Sequence, residues 1–286
     1  MVAAFLLEFS FYLVPGFESV RRALEARLSR GRLAACMTLS GLVPYVIYTA
    51  GTGLFRWHAF ALVLGIAAGL SFWFIVLRPG RLADLGLVAA LAAVVLAKAL
   101  DPLYPSPVPQ IKDLDVLGQL MLIRLAALAM LSLRHVKGVG FGFVPRRREW
   151  SIGVRQFLWF LPLGFPLAVA FGVIRWTPAE FDPLKAALVF AGILWVVALS
   201  EEFFFRGLLQ QWVRDSTGSP QVALLLTSIA FGLAHLPFRG FPNWKFALVA
   251  AIAGWFYGRA YQQAGSIRAS MVTHALVVTT WRSVFS

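Results

Sequence analysis

The stretch LKAALVFAGILWVVALSEEFFFRGLLQQWV, residues 184–213, decides how the rest of the chain is interpreted. Its first half, after one lysine, is wholly apolar, and a helix of this length suits a lipid bilayer. Glu201, Glu202 and Arg206 then interrupt the apolar run. An ionisable side chain at the centre of a membrane helix costs about 2.5–3.5 kcal/mol on insertion scales, so these three side chains need a partner or a function.

Part of that cost is offset locally. Glu202 and Arg206 are four residues apart, so they share a helix face and are expected to pair. Glu201 points about 100° away around the helix and needs another partner or a task. Two interpretations stay open: a buried ion pair that fixes helix packing, or a functional site, which is the default hypothesis for ionisable groups inside a membrane.

The composition predicts a membrane protein. Of the 286 residues, 59% are hydrophobic, and the mean hydropathy is +0.76, whereas a soluble domain is about 45–50% apolar. We expect an all-α, polytopic transmembrane helix bundle with about eight to nine spans. Residues 2–14 are too short to cross a bilayer, which favours an N-terminal interfacial or re-entrant helix. The predicted spans are 33–55, 58–77, 82–100, 116–133, 153–175, 184–212, 221–236, 244–262 and 267–282.

The net charge of +13 has two readings. Nucleic-acid binding is one, but no basic stripe with interleaved aromatic residues stands out, so no nucleic-acid partner is predicted. The other is Lys and Arg in loops that stay cytoplasmic. This reading makes the chain a multi-pass integral membrane protein, of the inner membrane if the source is bacterial, with a basic linker at 134–152 in the cytoplasm. That linker divides an N-terminal region, 1–133, from a C-terminal region, 153–286.

The polar residues of the N-terminal region are few. Arg124 lies deep in a predicted span and is expected to pair with Asp84 or Glu8. Cys36 is the only cysteine, so neither an intrachain disulfide nor a cysteine metal cluster is possible. No motif assigns this region a role.

Two histidines of the C-terminal region lie in predicted spans, at estimated depths of about 21 Å for His235 and about 12 Å for His274 from the turns that precede them. His235 ends the span 221–236, and His274 lies inside 267–282. At about 1.5 Å per residue, Glu201 and His235 lie roughly 18 and 21 Å from the hairpin that joins their helices, so they come level if the helices are antiparallel. We expect all three side chains to face one buried cavity.

A buried carboxylate beside a histidine suits the activation of water, and a second histidine can donate to the oxyanion of a tetrahedral intermediate. This indicates hydrolysis of an acyl bond without a covalent nucleophile. Serine chemistry is the weaker interpretation, because Ser200 would need a base at hydrogen-bond distance. Zinc is the main alternative because one Glu and two His form a known catalytic ligand set, although the motif H-E-x-x-H is absent.

These residues resemble the CAAX prenyl protease type II and bacteriocin-processing (CPBP) family of glutamic-type intramembrane proteases, over roughly residues 150–286. The family has three motifs, E-E-x-x-x-R, F-x-x-x-H and H-x-x-x-N/D. The first two are complete here, as Glu201, Glu202, Arg206, Phe231 and His235.

The third motif begins at His274, but Val278 stands where the family has Asn or Asp. The resemblance implies that Glu201 and His235 activate the water and that His274 stabilises the oxyanion. Asn243 and Thr279 are the possible replacement oxyanion donors. The site-supporting positions implied by the resemblance are Glu202, Arg206 and Phe231.

The function predicted on this basis is an intramembrane endopeptidase that hydrolyses a peptide bond near the C-terminus or membrane anchor of a protein substrate. It needs no cofactor, and its partners are a membrane-anchored or C-terminally tailed protein and the bilayer. The alternative is a non-catalytic membrane scaffold or immunity protein, or a proton-coupled carrier, that uses the same buried charges. Residues 153–286 are expected to form the catalytic core.

Overall fold

A computed structural model describes residues 1–108, 110, 114–176 and 182–285 of the chain. The regular structure in these ranges is helical, with a single isolated β-bridge between Trp176 and Phe285 and no strand. The described residues pack as two compact units, Met1–Lys137 and Gly138–Ser286. The division falls inside the predicted linker, and the roles assigned to the regions on either side stay predictions.

The described part of the N-terminal unit contains six helices of ten residues or more. They are α1 Val2–Leu13, α2 Glu18–Arg27, α3 Arg30–Thr52, α4 Trp57–Val76, α5 Arg81–Leu96 and α6 Val116–Leu133. The described part of the C-terminal unit contains five such helices. They are α7 Arg147–Ala170, α8 Pro183–Thr217, α9 Pro220–Ala234, α10 Trp244–Ala264 and α11 Ile267–Val284.

Local sequence explains where the helices of the C-terminal unit begin and end. The side chains of Ser219 and Ser266 accept hydrogen bonds from backbone amides in the first turns of α9 and α11, as N-cap residues do. Gly218 and Gly265 end the preceding helices with φ of 68° and 65°. A left-handed conformation is easiest for glycine, so each Gly–Ser junction gives a tight hairpin between antiparallel helices.

Five helices of the described chain are long and apolar enough to cross a membrane, namely α3, α4, α6, α7 and α8. A sixth span results if Val2–Gly16 and Glu18–Arg27, which meet at 89°, are counted together. The expected all-α chain with several apolar spans is therefore confirmed. The count of eight to nine spans and the interfacial helix stay predictions, partly because α5 and α9 have only 16 and 15 residues.

The buried arginine of the N-terminal unit pairs with a residue of α1. Arg124 contacts both carboxylate oxygens of Glu8, at 2.6 and 3.1 Å, and donates to the side chain and carbonyl of Ser40. Glu8 is thus the correct one of the two expected partners. Asp84 pairs instead with Arg134, at 2.8 and 3.1 Å. Both arginines have their charge compensated by a carboxylate, which lowers the cost of burying them.

In the C-terminal unit, α11 lies against α7, α8 and α10. Its residues from Ala269 to Ala275 are all buried, and Gly153 of α7 allows a close approach because a side chain there would collide with Val272. The hydroxyl of Thr273 donates to the carbonyl of Gly153 over 3.0 Å. This packing fixes the position of His274 relative to the glutamate pair on α8.

Candidate active site

The glutamate pair lies in an irregular part of α8. The four residues Leu199–Glu202 are α-helical, while Ile193–Ala198 before them and Phe203–Gln210 after them have π-helical hydrogen bonding. Such wide turns are rare and frequently mark functional sites. The sequence predicted a regular helix here, because the spacing of apolar residues contains no sign of this local change in winding.

Glu202 and Arg206 form the expected ion pair inside the protein. Their side chains are 0% and 1% exposed, and Nε of Arg206 lies 3.2 Å from Oε2 of Glu202. The guanidinium also donates from Nη2 to the carbonyl of Gly254 over 2.8 Å, and it lies 4.6 Å from the ring centre of Phe231. Removing one partner of a buried pair leaves an uncompensated charge, so these contacts hold α8, α9 and α10 in register.

Glu202 has a second partner that the sequence did not indicate. Its Oε1 lies 2.8 Å from Nδ1 of His274, which is buried on α11. A carboxylate can only accept here, so Nδ1 carries the hydrogen. Glu202 therefore connects Arg206 to His274, and it orients the imidazole so that Nε2 points toward Glu201.

Glu201 is arranged differently from its neighbour. Its side chain is 30% exposed, and its Oε2 lies 4.0 Å from Nε2 of His274. That oxygen is buried and has no hydrogen-bond partner among the described residues. Two hydrogen bonds of about 2.8 Å can span a gap of this size through one water molecule. The geometry therefore places a carboxylate oxygen of Glu201 and an imidazole nitrogen of His274 around the same small space.

His235 lies just past the end of α9, where the helix stops before Pro237. Its Nδ1 is 2.7 Å from the carbonyl oxygen of Phe231, and because a carbonyl only accepts, Nδ1 carries the hydrogen. In the neutral ring Nε2 is then an acceptor. Neither a hydrogen bond nor an ion pair joins His235 to Glu201, whereas Glu201 lies 4.0 Å from His274, so the pairing of Glu201 with His235 stays a prediction.

Aromatic rings hold both histidines. The ring centre of Phe231 lies 4.6 Å from that of His235 and 6.0 Å from that of His274. Tyr257 stacks on His274 with ring centres 4.6 Å apart and planes at 11°. Sequence reasoning did not select Tyr257. The available signal was a stripe of small residues on α10, formed by Ala250, Gly254 and Gly258, which favours a close approach of other helices. Gly254 leaves room for Arg206 and Phe231 one turn before this tyrosine.

Val278 stands where the third family motif has Asn or Asp. The two residues suggested as replacement oxyanion donors, Asn243 and Thr279, differ in whether their polar groups already have partners. Asn243 accepts from the backbone of Phe246 and donates to the carbonyl of Phe238, so its amide is occupied in starting α10. The hydroxyl of Thr279 is buried without a hydrogen-bond partner in the described chain. At 100° per residue, however, Thr279 lies about 140° around α11 from His274, whereas Val278 lies only about 40° away.

A metal site was the main alternative for these side chains. Within the described ranges, no three His, Cys, Asp or Glu side chains are grouped as metal ligands. A zinc ion requires its ligand atoms within about 2.0–2.2 Å. Glu201, His235 and His274 therefore have to move before they could share one ion.

The fold and this site together define a polytopic α-helical membrane protein with a buried Glu–Arg–His cluster. Residues 183–280, about a third of the chain, match the family model described as type II CAAX prenyl endopeptidase Rce1-like. This match confirms the resemblance drawn from the motifs, and the matched segment contains all the candidate site residues. No curated protein and no solved structure matches the chain.

Proposed function

We propose that the protein is a glutamic-type intramembrane endopeptidase that hydrolyses a peptide bond near the C-terminus or membrane anchor of a protein substrate. The family match supports a protease of the CAAX type over residues 183–280. The observation that carries the specific mechanism is the buried oxygen of Glu201, which lacks a hydrogen-bond partner among the described residues and faces Nε2 of His274 across 4.0 Å.

In the proposed reaction Glu201 is the general base. It takes a proton from a water molecule as the water oxygen bonds to the peptide carbonyl carbon, and His235 is a second acceptor through Nε2. The carbonyl oxygen becomes an oxyanion, and His274, in this proposal an imidazolium with hydrogen on both nitrogens, donates to it from Nε2–H while Glu202 accepts from Nδ1–H. The proton on Glu201 then passes to the leaving nitrogen as the oxyanion re-forms the carbonyl and the C–N bond breaks. The resulting carboxylic acid gives its proton to Nε2 of His235, so that the products are a carboxylate and an amine.

Supporting side chains complete the proposed site. Arg206 and Phe231 keep Glu202 and the two imidazoles in position through the contacts described above. The mechanism uses no cofactor. Zinc is the competing proposal, and it is tested by treating active protein with a chelator: unchanged cleavage supports the metal-free mechanism, and loss of cleavage that zinc restores supports the metal.

We place the protein as a multi-pass membrane protein, in the inner membrane if the source is bacterial, with 134–152 in the cytoplasm and eight to nine spans. Besides the five long helices, α5, α9, α10 and α11 then cross or enter the bilayer. The substrate is a membrane-anchored or C-terminally tailed protein. A substrate of this kind presents its peptide bond at membrane depth, where α8 carries the glutamate pair.

A non-catalytic scaffold, immunity protein or carrier is the second candidate, and Val278 is the observation in its favour, because an oxyanion donor of the family is replaced by an apolar side chain. Co-expression with candidate tailed substrates separates the two proposals. Mass spectrometry of the substrate C-termini should show shortened products with the unaltered protein and none with Glu201→Ala. Intact termini in both samples across the whole panel would favour the scaffold.

A further inference from the structure

A cavity of about 360 Å³ lies at one end of the N-terminal unit, between the start of α3 and the end of α4. It is separate from the candidate active site and belongs to the region for which no motif assigns a role. Two of its lining side chains are arginines, and no acidic residue of the described chain lines it. The lining residues are Arg30, Gly31, Phe74, Ile75, Val76, Leu77, Arg78 and Pro79.

The first arginine is held in place by backbone. Nη2 of Arg30 donates to the carbonyl of Phe74 over 2.8 Å and to that of Leu133 over 3.3 Å. These carbonyls belong to the last turns of α4 and α6, so one nitrogen anchors the guanidinium across three helices. Its other donors make no hydrogen bond within the described residues, which leaves a pre-positioned cationic group at the cavity.

The second arginine has no protein partner in the described ranges. Arg78 is exposed and makes neither a hydrogen bond nor an ion pair there. Asp84 follows in the next helix, but Arg134 already contacts both of its carboxylate oxygens. The positive charge of Arg30 and Arg78 at this cavity is therefore not balanced by a carboxylate, and an anion from outside the protein can bind it.

The remaining wall is apolar and exposed. Ile75 and Val76, the last two residues of the membrane-length helix α4, are 38% and 77% exposed, and Leu77, which follows the helix, is 42% exposed. A free anion gains nothing from such a wall. A phosphate that carries acyl chains matches both the arginines and the apolar wall. A guanidinium group can donate two parallel hydrogen bonds to phosphate oxygens, and the acyl chains cover apolar surface.

We propose that this cavity binds the phosphate of an anionic phospholipid, with Arg30 and Arg78 on the headgroup and an acyl chain along Val76. The inference is independent of the proposed protease activity. The bound lipid would lie at the end of the N-terminal unit where the predicted cytoplasmic loops carry their arginines. At that membrane surface the anionic lipids of the cytoplasmic leaflet attract basic side chains.

The test uses the full-length protein in nanodiscs that contain phosphatidylcholine with increasing phosphatidylglycerol, and native mass spectrometry of the lipids that stay bound. The unaltered protein should retain one phosphatidylglycerol in preference to phosphatidylcholine. Arg78→Gln should weaken this retention about fivefold, since a juxtamembrane basic residue contributes on that scale. Arg282→Gln, an exposed arginine of the other unit, is the control and should behave as the unaltered protein.

Arg78 makes no described contact, so its replacement should leave the fold intact, and thermal unfolding checks this directly. Inorganic phosphate at millimolar concentration serves as a second arm. It should leave the lipid bound, because it cannot use the apolar wall. Equal retention of both lipids, unchanged retention in Arg78→Gln, or complete displacement by inorganic phosphate would overturn the proposal.

Discussion

His274 donates from Nδ1 to Oε1 of Glu202 over 2.8 Å, although the two residues are 72 positions apart in the chain. Glu202 therefore has two buried partners, since Arg206 lies 3.2 Å from its other oxygen. The sequence assigned Glu202 to Arg206 alone. With the imidazole fixed from one side, its other nitrogen is directed at Glu201, and the predictions below test each part of this arrangement.

Replacing His274 by asparagine separates the structural role of Nδ1 from the proposed catalytic role of Nε2. The asparagine amide can keep the hydrogen bond to Glu202 that Nδ1 makes, but it has no group where Nε2 lies. We expect His274→Asn to stay folded and to cleave roughly 10²–10³-fold more slowly, the usual effect of losing an oxyanion donor. His274→Ala should lower both cleavage and thermal stability. Wild-type cleavage by the asparagine variant would remove Nε2 from the mechanism.

Replacing Arg206 tests the buried ion pair. Arg206→Met leaves Glu202 without its cationic partner, and breaking a buried pair in this way costs about 3–5 kcal/mol of stability. We expect a clear fall in the unfolding temperature of the detergent-purified protein, followed by fluorescence. Arg214→Met is the control, because Arg214 pairs with Asp215 at the surface and its loss should change stability little. Equal effects in both variants would contradict the structural role of Arg206.

The tautomer of His235 gives a third prediction. His235→Asn keeps a donor for the carbonyl of Phe231 but removes Nε2, the acceptor proposed to take part in water activation. The variant should remain folded, and cleavage should fall by roughly 10²–10⁴-fold, the contribution typical of general acid–base catalysis. His58→Asn, at the start of α4 in the other unit, is a matched control. Cleavage at the unaltered rate would show that His235 acts only as a helix end.

Val278 allows a gain of function to be tested. Val278→Asn restores the donor of the family motif about 40° around α11 from His274, and one such donor contributes roughly 10²–10³-fold in rate. We expect faster cleavage in kinetic assays, with Val278→Leu unchanged as the control of similar size. Thr279→Val should slow the unaltered protein if that hydroxyl already supplies the donor. No gain from the asparagine would mean that another group fills this role.

Much of this arrangement was predictable from the sequence because charge inside an apolar run is costly and therefore conspicuous. The pairing of Glu202 with Arg206 followed from their spacing. The need to compensate a deep cation predicted a carboxylate partner for Arg124 but left Asp84 and Glu8 as alternatives. The contact of Glu202 with His274 did not follow, since a distance between two helices depends on how α7, α10 and α11 pack. The contact of Tyr257 with His274 was not predictable for the same reason, because a tyrosine in an apolar and aromatic stretch is interpreted as an ordinary core residue.

The boundaries and the local winding of α8 were also not fully predictable from the residue pattern. The sequence placed the end of the sixth predicted span at residue 212, but α8 continues to Thr217 and stops where Gly218 adopts a positive φ. The π-helical turns on both sides of the glutamate pair left no trace in the residue pattern. The segment Phe203–Gln210 contains Arg206, whose partners include Gly254 on another helix, and single-sequence periodicity carries no information about such partners.

The most direct test of the central claim is cleavage by Glu201→Gln. Glu201 is partly exposed and has no ion-pair partner closer than 4.0 Å in the described chain, so glutamine should leave the fold and the unfolding temperature nearly unchanged. Cleavage of a tailed substrate in proteoliposomes, measured by mass spectrometry, should fall by at least about 10²-fold, while the surface control Glu18→Gln keeps the full rate. Product formation at the unaltered rate by folded Glu201→Gln would contradict a mechanism in which this carboxylate activates water.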